Sequence, residues 1–145
     1  MDWTAGYTAE IDYTFGHYGE LSPGSIDFAL LLAGYMPPET ESPAYLELGF
    51  GQGLSINIHA ATRDGEYWGT DFNPAHAANA QGLARDAGSA ARLFDQSFED
   101  LASRNDLPQF DYIVLHGIWS WVGAETQGAI CDLIRDRLKV GGAVY

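Results

Sequence analysis

The chain has 145 residues, 46% hydrophobic and 19% charged, with seven basic against twenty acidic side chains and a net charge of −13. That size and mixture suit one soluble globular domain. They exclude an apolar run of membrane-spanning length and leave too little basic surface for direct nucleic-acid binding.

The lone cysteine, Cys131, rules out an internal disulfide and any cysteine-based metal cluster. The acidic N-terminus lacks the basic region of a secretory leader, so a cytoplasmic location is expected. The acidic balance permits a cationic partner such as a lysine-rich protein surface, or serves solubility alone. Oligomeric state is not readable.

In chain order, residues 1–23 are rich in aromatics and acids, and are expected to pack on the domain. Ser22-Pro23 reads as a helix start, with Ser25 to Tyr35 at helical spacing and Pro37-Pro38 as the stop. Ala44 to Leu48 has the bulk and length of a buried strand. It runs into Gly49, Gly51 and Gly53, after which a helix extends to about Thr62. A second strand, Glu66 to Asp71, ends in an acid, and Asn73-Pro74 opens the next helix, through Ala87. Ala90 to Phe94 is the third strand, Phe98 to Asn105 a short helix, and Phe110 to Leu115 the fourth strand. His116 to Gly123 is a loop with two tryptophans. Ala124 to Leu138 is a helix with Ile130, Leu133 and Ile134 inward and Cys131 read as core. Gly141-Gly142 is expected as a turn, and Ala143 to Tyr145 as the start of a fifth strand.

Strands alternating with helices predict an α/β fold: a Rossmann-like parallel sheet with helices on both faces, apparently truncated at the fifth strand. Two regions follow. Residues 1–43 form an aromatic segment and helix, and residues 44–145 an incomplete core.

The stretch ELGFGQG joins strand to helix through three alternate glycines. Such a turn brings a ligand against bare backbone at a helix N-terminus. A phosphate loop would need GxxxxGK[ST], and no lysine or arginine is near; a dinucleotide fingerprint would need a third glycine in register, where Leu54 disrupts it. The pattern E-x-G-x-G-x-G resembles motif I of the class I S-adenosylmethionine-dependent methyltransferases. The N-terminal YTAEIDYTFGHYGELSP, LELGFGQGLS, FDYIVLHGIWSWV and LKVGGAVY resemble more narrowly the methyltransferases with a C-terminal regulatory domain, a group that includes protein-lysine methyltransferases. The last strands and the regulatory domain of that group are not in this sequence. The absence of [DN]PP[YFW] after the fourth strand argues against methylation of DNA bases.

The resemblance implies S-adenosylmethionine as cofactor and a site built from Glu47, Gly49, Phe50, Gly51 and Gly53. Asp71 is placed to accept both ribose hydroxyls, or instead to cap the following helix, and Phe72 to lie on adenine. Asp95 or Ser97 is expected at the adenine amino group, with Phe98 against the base. Glu47, a buried acid in need of a partner, suits the cofactor ammonium. With no basic residue before Arg63, its carboxylate falls to backbone amides or to Tyr13, His17, Tyr18 or Ser25. Residues 1–43 are then a lid over the cofactor. His116, at the end of the fourth strand, is a candidate base or a wall, and Trp119 and Trp121 a wall for an alkylammonium acceptor.

Methyl transfer to an unidentified acceptor, a protein lysine or a small molecule, is the expected function. A non-catalytic module binding S-adenosylmethionine or S-adenosylhomocysteine, or a dinucleotide-binding Rossmann domain, are the alternatives. No metal is expected: His59 and His76 share no ligand spacing with a second group.

Overall fold

The computed structural model describes residues 15–145. Helix α1, Pro23–Leu32, starts where Ser22 caps it, its hydroxyl oxygen accepting from the Ser25 amide at 3.2 Å. It stops at Leu32, short of the expected Tyr35. Ile26 is buried and Leu30 packs against the core, but Phe28, Leu31 and Leu32, the second row of the helical pattern, are exposed.

The sheet holds β1 (Ala44–Leu48), β2 (Glu66–Asp71), β3 (Arg92–Asp95), β4 (Phe110–Leu115) and β5 (Leu138–Val144). Its order is β3-β2-β1-β4-β5, with every neighbouring pair parallel. Strand β1 is buried at all five positions because it sits mid-sheet between β2 and β4, as its apolar run, interrupted by Glu47, requires. The chain steps outward from β1 to β3 and then returns to the other side of β1. A crevice therefore opens beyond the carboxyl ends of β1 and β4, where such sheets bind ligands.

Helix α2 is Leu54–Thr62, α3 Pro74–Asp86, α4 Phe98–Ala102 and α5 Ala124–Arg137. Asn73 caps α3 by accepting from the Ala75 amide at 3.0 Å, with Pro74 as the first helical residue. One face of the sheet is covered by Ile26, Ile56, Ala77, Ala80 and Ala84 from α1, α2 and α3, packed around Tyr45, Tyr67 and Tyr112. The other carries Phe98, Leu101, Ile130 and Leu133 from α4 and α5 over Leu46, Leu48, Trp68 and Ile113. At the amino end of the sheet, Asp111 accepts the Ala44 amide at 2.8 Å and the Lys139 ammonium at 2.9 Å, tying the starts of β1, β4 and β5.

Three expectations need correction. Cys131 is exposed: it lies one residue, about 100° of helical rotation, past the buried Ile130, and so turns outward. Strand β3 begins at Arg92, not Ala90. The Gly141-Gly142 turn lies inside β5, which starts directly after α5: a step of two residues along β4, Phe110 to Tyr112, is matched by a step of five along β5, Leu138 to Ala143. The glycines absorb that excess as a bulge, with Gly141 at φ +81°. Among the described residues no helix is long and apolar enough to cross a membrane.

Candidate functional site

The glycine turn closes the carboxyl end of β1. Gly49, Gly51 and Gly53 all take left-handed φ, +71°, +57° and +76°. Conformation alone therefore demands glycine at alternate positions. The reasons beyond conformation differ. A Cβ on Gly49 would meet the Ile118 side chain at 2.5 Å, and one on Gly53 would collide with the Ala80 Cβ. Gly53 thus serves the packing of α2 against α3, a reason that motif reading does not reveal.

Asp71, at the end of β2, is tied to this turn. Its Oδ2 accepts the Gly51 amide at 2.8 Å and its Oδ1 the Asn73 amide at 2.9 Å, with His76 Nδ1 3.4 Å away. The cap of α3 is Asn73 itself, so Asp71 steadies the turn before the helix rather than capping it. Burial raises the Asp71 carboxyl above the usual carboxylate range, against the two amides and His76, which lower it.

Glu47 is 3% exposed beneath the turn. Burial pushes its carboxyl up to about 8, opposed by the Tyr45 hydrogen bond and reinforced by the charge of Asp71. The Tyr45 hydroxyl lies 3.3 Å from Glu47 Oε2 and 3.1 Å from the Leu21 carbonyl. A phenol has one proton to give. That one proton serves Glu47 or the Leu21 carbonyl, not both at once.

A narrow cavity of about 10 Å³ opens onto Glu47, Gly49 and Phe50, covered by Gly16, Tyr18 and His116. The Tyr18 ring stacks on the His116 ring, centroids 4.5 Å apart at 30°, and its amide donates to Ser55 Oγ at 2.8 Å. His116 Nδ1 is 4.0 Å from a Glu20 carboxylate oxygen, both side chains being partly exposed. Trp119 and Trp121 stand beyond it, 47% and 68% exposed.

The structure thus gathers Glu47, Gly49, Phe50, Tyr18 and His116 around one cavity, with Gly51 and Asp71 hydrogen-bonded beside it. Phe72 is half-buried in the turn after β2. Asp95 is exposed at the end of β3. The Ser97 hydroxyl is engaged as the cap of α4, accepting from Asp100 at 3.1 Å. Phe98 is buried among Leu101, Leu46 and Leu48, so its ring belongs to the core and not to an open base-binding surface. His17 is exposed, its ring tilted toward the buried His59, and the Ser25 hydroxyl donates to the Gly19 carbonyl. Tyr13 lies outside the described residues. Sequence reading passed over Gln52, Ser55 and Glu20. Ser55 was discoverable as a hydroxyl in the first turn after the third glycine; nothing marked Glu20 as a neighbour of His116.

Residues 46–144 match the family described as Methyltransferase domain. An uncharacterized Synechocystis protein, sll1526, is 44% identical over 148 residues, covering 100% of this chain and 29% of that protein. The uncharacterized protein RP028 of Rickettsia prowazekii is 30% identical over 79% of this chain and 46% of its own length. Among solved structures, PKMT2 from Rickettsia typhi in complex with AdoHcy superposes with a TM-score of 0.80 at 26% identity, over 91% of this chain and 25% of that one. The chain therefore spans less than half the length of these relatives.

Proposed function

The chain belongs to the methyltransferase domain family, and from that premise we propose that it binds S-adenosylmethionine over the glycine turn and transfers the methyl group to an amine-bearing acceptor. The observation that carries this reading is the Asp71–Gly51 hydrogen bond, which sets a ribose-compatible acid against the bare turn at the sheet's switch point. Oδ2 accepts the Gly51 amide and keeps a lone pair for a ribose hydroxyl, while Oδ1 faces both the Asn73 amide and His76 Nδ1. Glu47 is a buried acid with a single weak partner, and an ammonium group beside it would favour its ionised form.

S-Adenosylmethionine supplies a sulfonium-activated methyl group, open to in-line displacement by an acceptor lone pair. The chain's own residues orient and exclude water. The Tyr18 ring, stacked on His116, covers the cavity beside Glu47 and Gly49, and the lid role proposed for the N-terminal region has this ring swing aside to admit the cofactor. An amine acceptor must lose its proton before it attacks, and His116, partly exposed and near Glu20, is the group positioned to take it. The exposed faces of Trp119 and Trp121, in an acidic chain, favour an alkylammonium acceptor.

Calorimetry with S-adenosylmethionine, S-adenosylhomocysteine and NAD tests the first half. Both adenosyl compounds are expected to bind and NAD is not; the reverse result removes the proposal. Incubation of the full-length protein with methyl-labelled cofactor and cell lysate tests the second. Label in no protein or small-molecule fraction would favour a binding-only module.

A further inference from the structure

We propose that a second ligand site, separate from the glycine-turn cleft, lies at the outer edge of β3 and takes a small oxyanion, a phosphate or a carboxylate. A cavity of about 480 Å³ opens there, within the size range of small-molecule sites. Arg85, Arg92 and Arg104 all line it, three of the seven basic residues in a chain of net charge −13. Asp106 is its only acidic lining residue.

Two of the three arginines are held in place. The Arg92 guanidinium lies 4.4 Å from the Trp68 ring centroid, and that of Arg104 lies 4.1 Å from Phe94. Stacking uses the face of a guanidinium and leaves its N–H edge for acceptors in the plane. The edge of Arg104 is engaged: Nε and Nη2 donate to the two Asp106 oxygens at 2.8 and 2.6 Å. Arg85 and Arg92 carry no hydrogen bond or ion pair to an acceptor among the described residues. Trp68, 2% exposed beneath Arg92, also lines the cavity, and its buried Nε1–H lacks an acceptor among the described residues. Unpaired guanidinium donors therefore collect on one cavity whose single carboxylate is already bound, and the complement of such a lining is a ligand made of acceptors.

The size of the ligand follows from the charge. An extended polyanion would meet the repulsion of the whole acidic chain. A small oxyanion responds chiefly to charges within about 8–10 Å at physiological salt, and here those lining the cavity are three arginines against one aspartate. None of the cavity's residues borders the glycine-turn cleft, and Asp95, Ser97 and Phe98 are not among them. The inference therefore stands whether or not S-adenosylmethionine is the cofactor.

The test is calorimetric titration of the chain with pyrophosphate and, separately, citrate. It is repeated on the double variant Arg85→Gln/Arg92→Gln and on Arg135→Gln, which removes a charge from the exposed face of α5. Saturable binding of at least one anion is expected, weakened about tenfold or more in the double variant and unchanged in Arg135→Gln. The anion that binds identifies phosphate or carboxylate chemistry. No saturable heat from either up to about 10 mM, or an equal loss in Arg135→Gln, would overturn the site. If the double variant does not fold, Arg85→Gln alone, on an exposed helix position, carries the same comparison.

Discussion

Asp71 and Gly51 are joined by a 2.8 Å hydrogen bond between the carboxylate at the end of β2 and the middle amide of the glycine turn. The acid and the turn are one unit, so damage to the acid is felt at the backbone. In Asp71→Asn the side chain keeps one acceptor oxygen for two buried amides, Gly51 and Asn73, and its own NH2 faces the other. Stability should fall by about 1–3 kcal/mol. Affinity for S-adenosylhomocysteine should fall roughly tenfold or more, because a charge-assisted acceptor is lost. Thermal unfolding and calorimetry read the two effects separately. Unchanged affinity in a folded variant would remove the ribose assignment.

Glu47 makes stability depend on pH. Its folded carboxyl is pushed up to about 8 from an ordinary 4.5, so between those values the native state holds a proton that the unfolded chain has released. Stability from this group is complete below about 4.5, declines as pH rises, and is lost once pH passes about 8. For a fully buried group the total is on the order of a few kcal/mol. Asp71, also raised by burial, adds a slope of the same sign. Glu47→Gln should flatten only the Glu47 share, so its melting temperature should decline less between pH 5 and about 8.5 than that of the parent. Parallel curves for the two proteins would show that Glu47 is charged when folded.

The sheet was legible because its signals are local. Five strands, their parallel sense and the helix starts at Ser22 and Asn73 follow from runs, caps and prolines. That Glu47 and Gly49 share one cavity was legible because they stand in a motif fixed by one turn. What was not legible depends on direction in space. Phe98 follows the end of β3 at a sensible spacing for a base contact, and its buried ring helps Leu101 and Ala102 hold α4 to the sheet. Cys131 sits within an apolar sequence but one step off the buried row. The Glu20–His116 proximity joins two loops 96 residues apart in the chain, and no single-sequence pattern encodes that.

Asp111 anchors the end of the sheet opposite the glycine turn. Asp111→Ala leaves the buried Ala44 amide without its 2.8 Å acceptor and Lys139 without its partner. Unfolding free energy should drop by about 1–3 kcal/mol, most of it from the stranded amide, since Lys139 is substantially exposed. Affinity for S-adenosylhomocysteine should stay within about twofold of the parent, because the effects of distant sites add independently. A large loss of affinity in a folded variant would show that the two ends of the sheet are coupled.

Gly53 provides the sharpest separation of packing from ligand contact. A methyl group at this position faces two obstacles: a left-handed φ of +76°, and the Cβ of Ala80 on α3. Gly53→Ala should destabilise the protein by about 2–5 kcal/mol. Ala80→Gly alone should cost about 1 kcal/mol or somewhat more, since it places glycine within a helix and removes a buried methyl group. In the double variant the collision with the Ala80 Cβ is gone, but the backbone strain and the 2.9 Å approach to the Cα of residue 80 remain. Its loss should therefore be smaller than the sum of the two single losses by about 1–3 kcal/mol. Strict additivity in chemical denaturation would mean that the Ala80 methyl group is not what requires glycine at position 53. A positive coupling would show that the third glycine of the motif is kept, at least in part, so that α2 and α3 can meet.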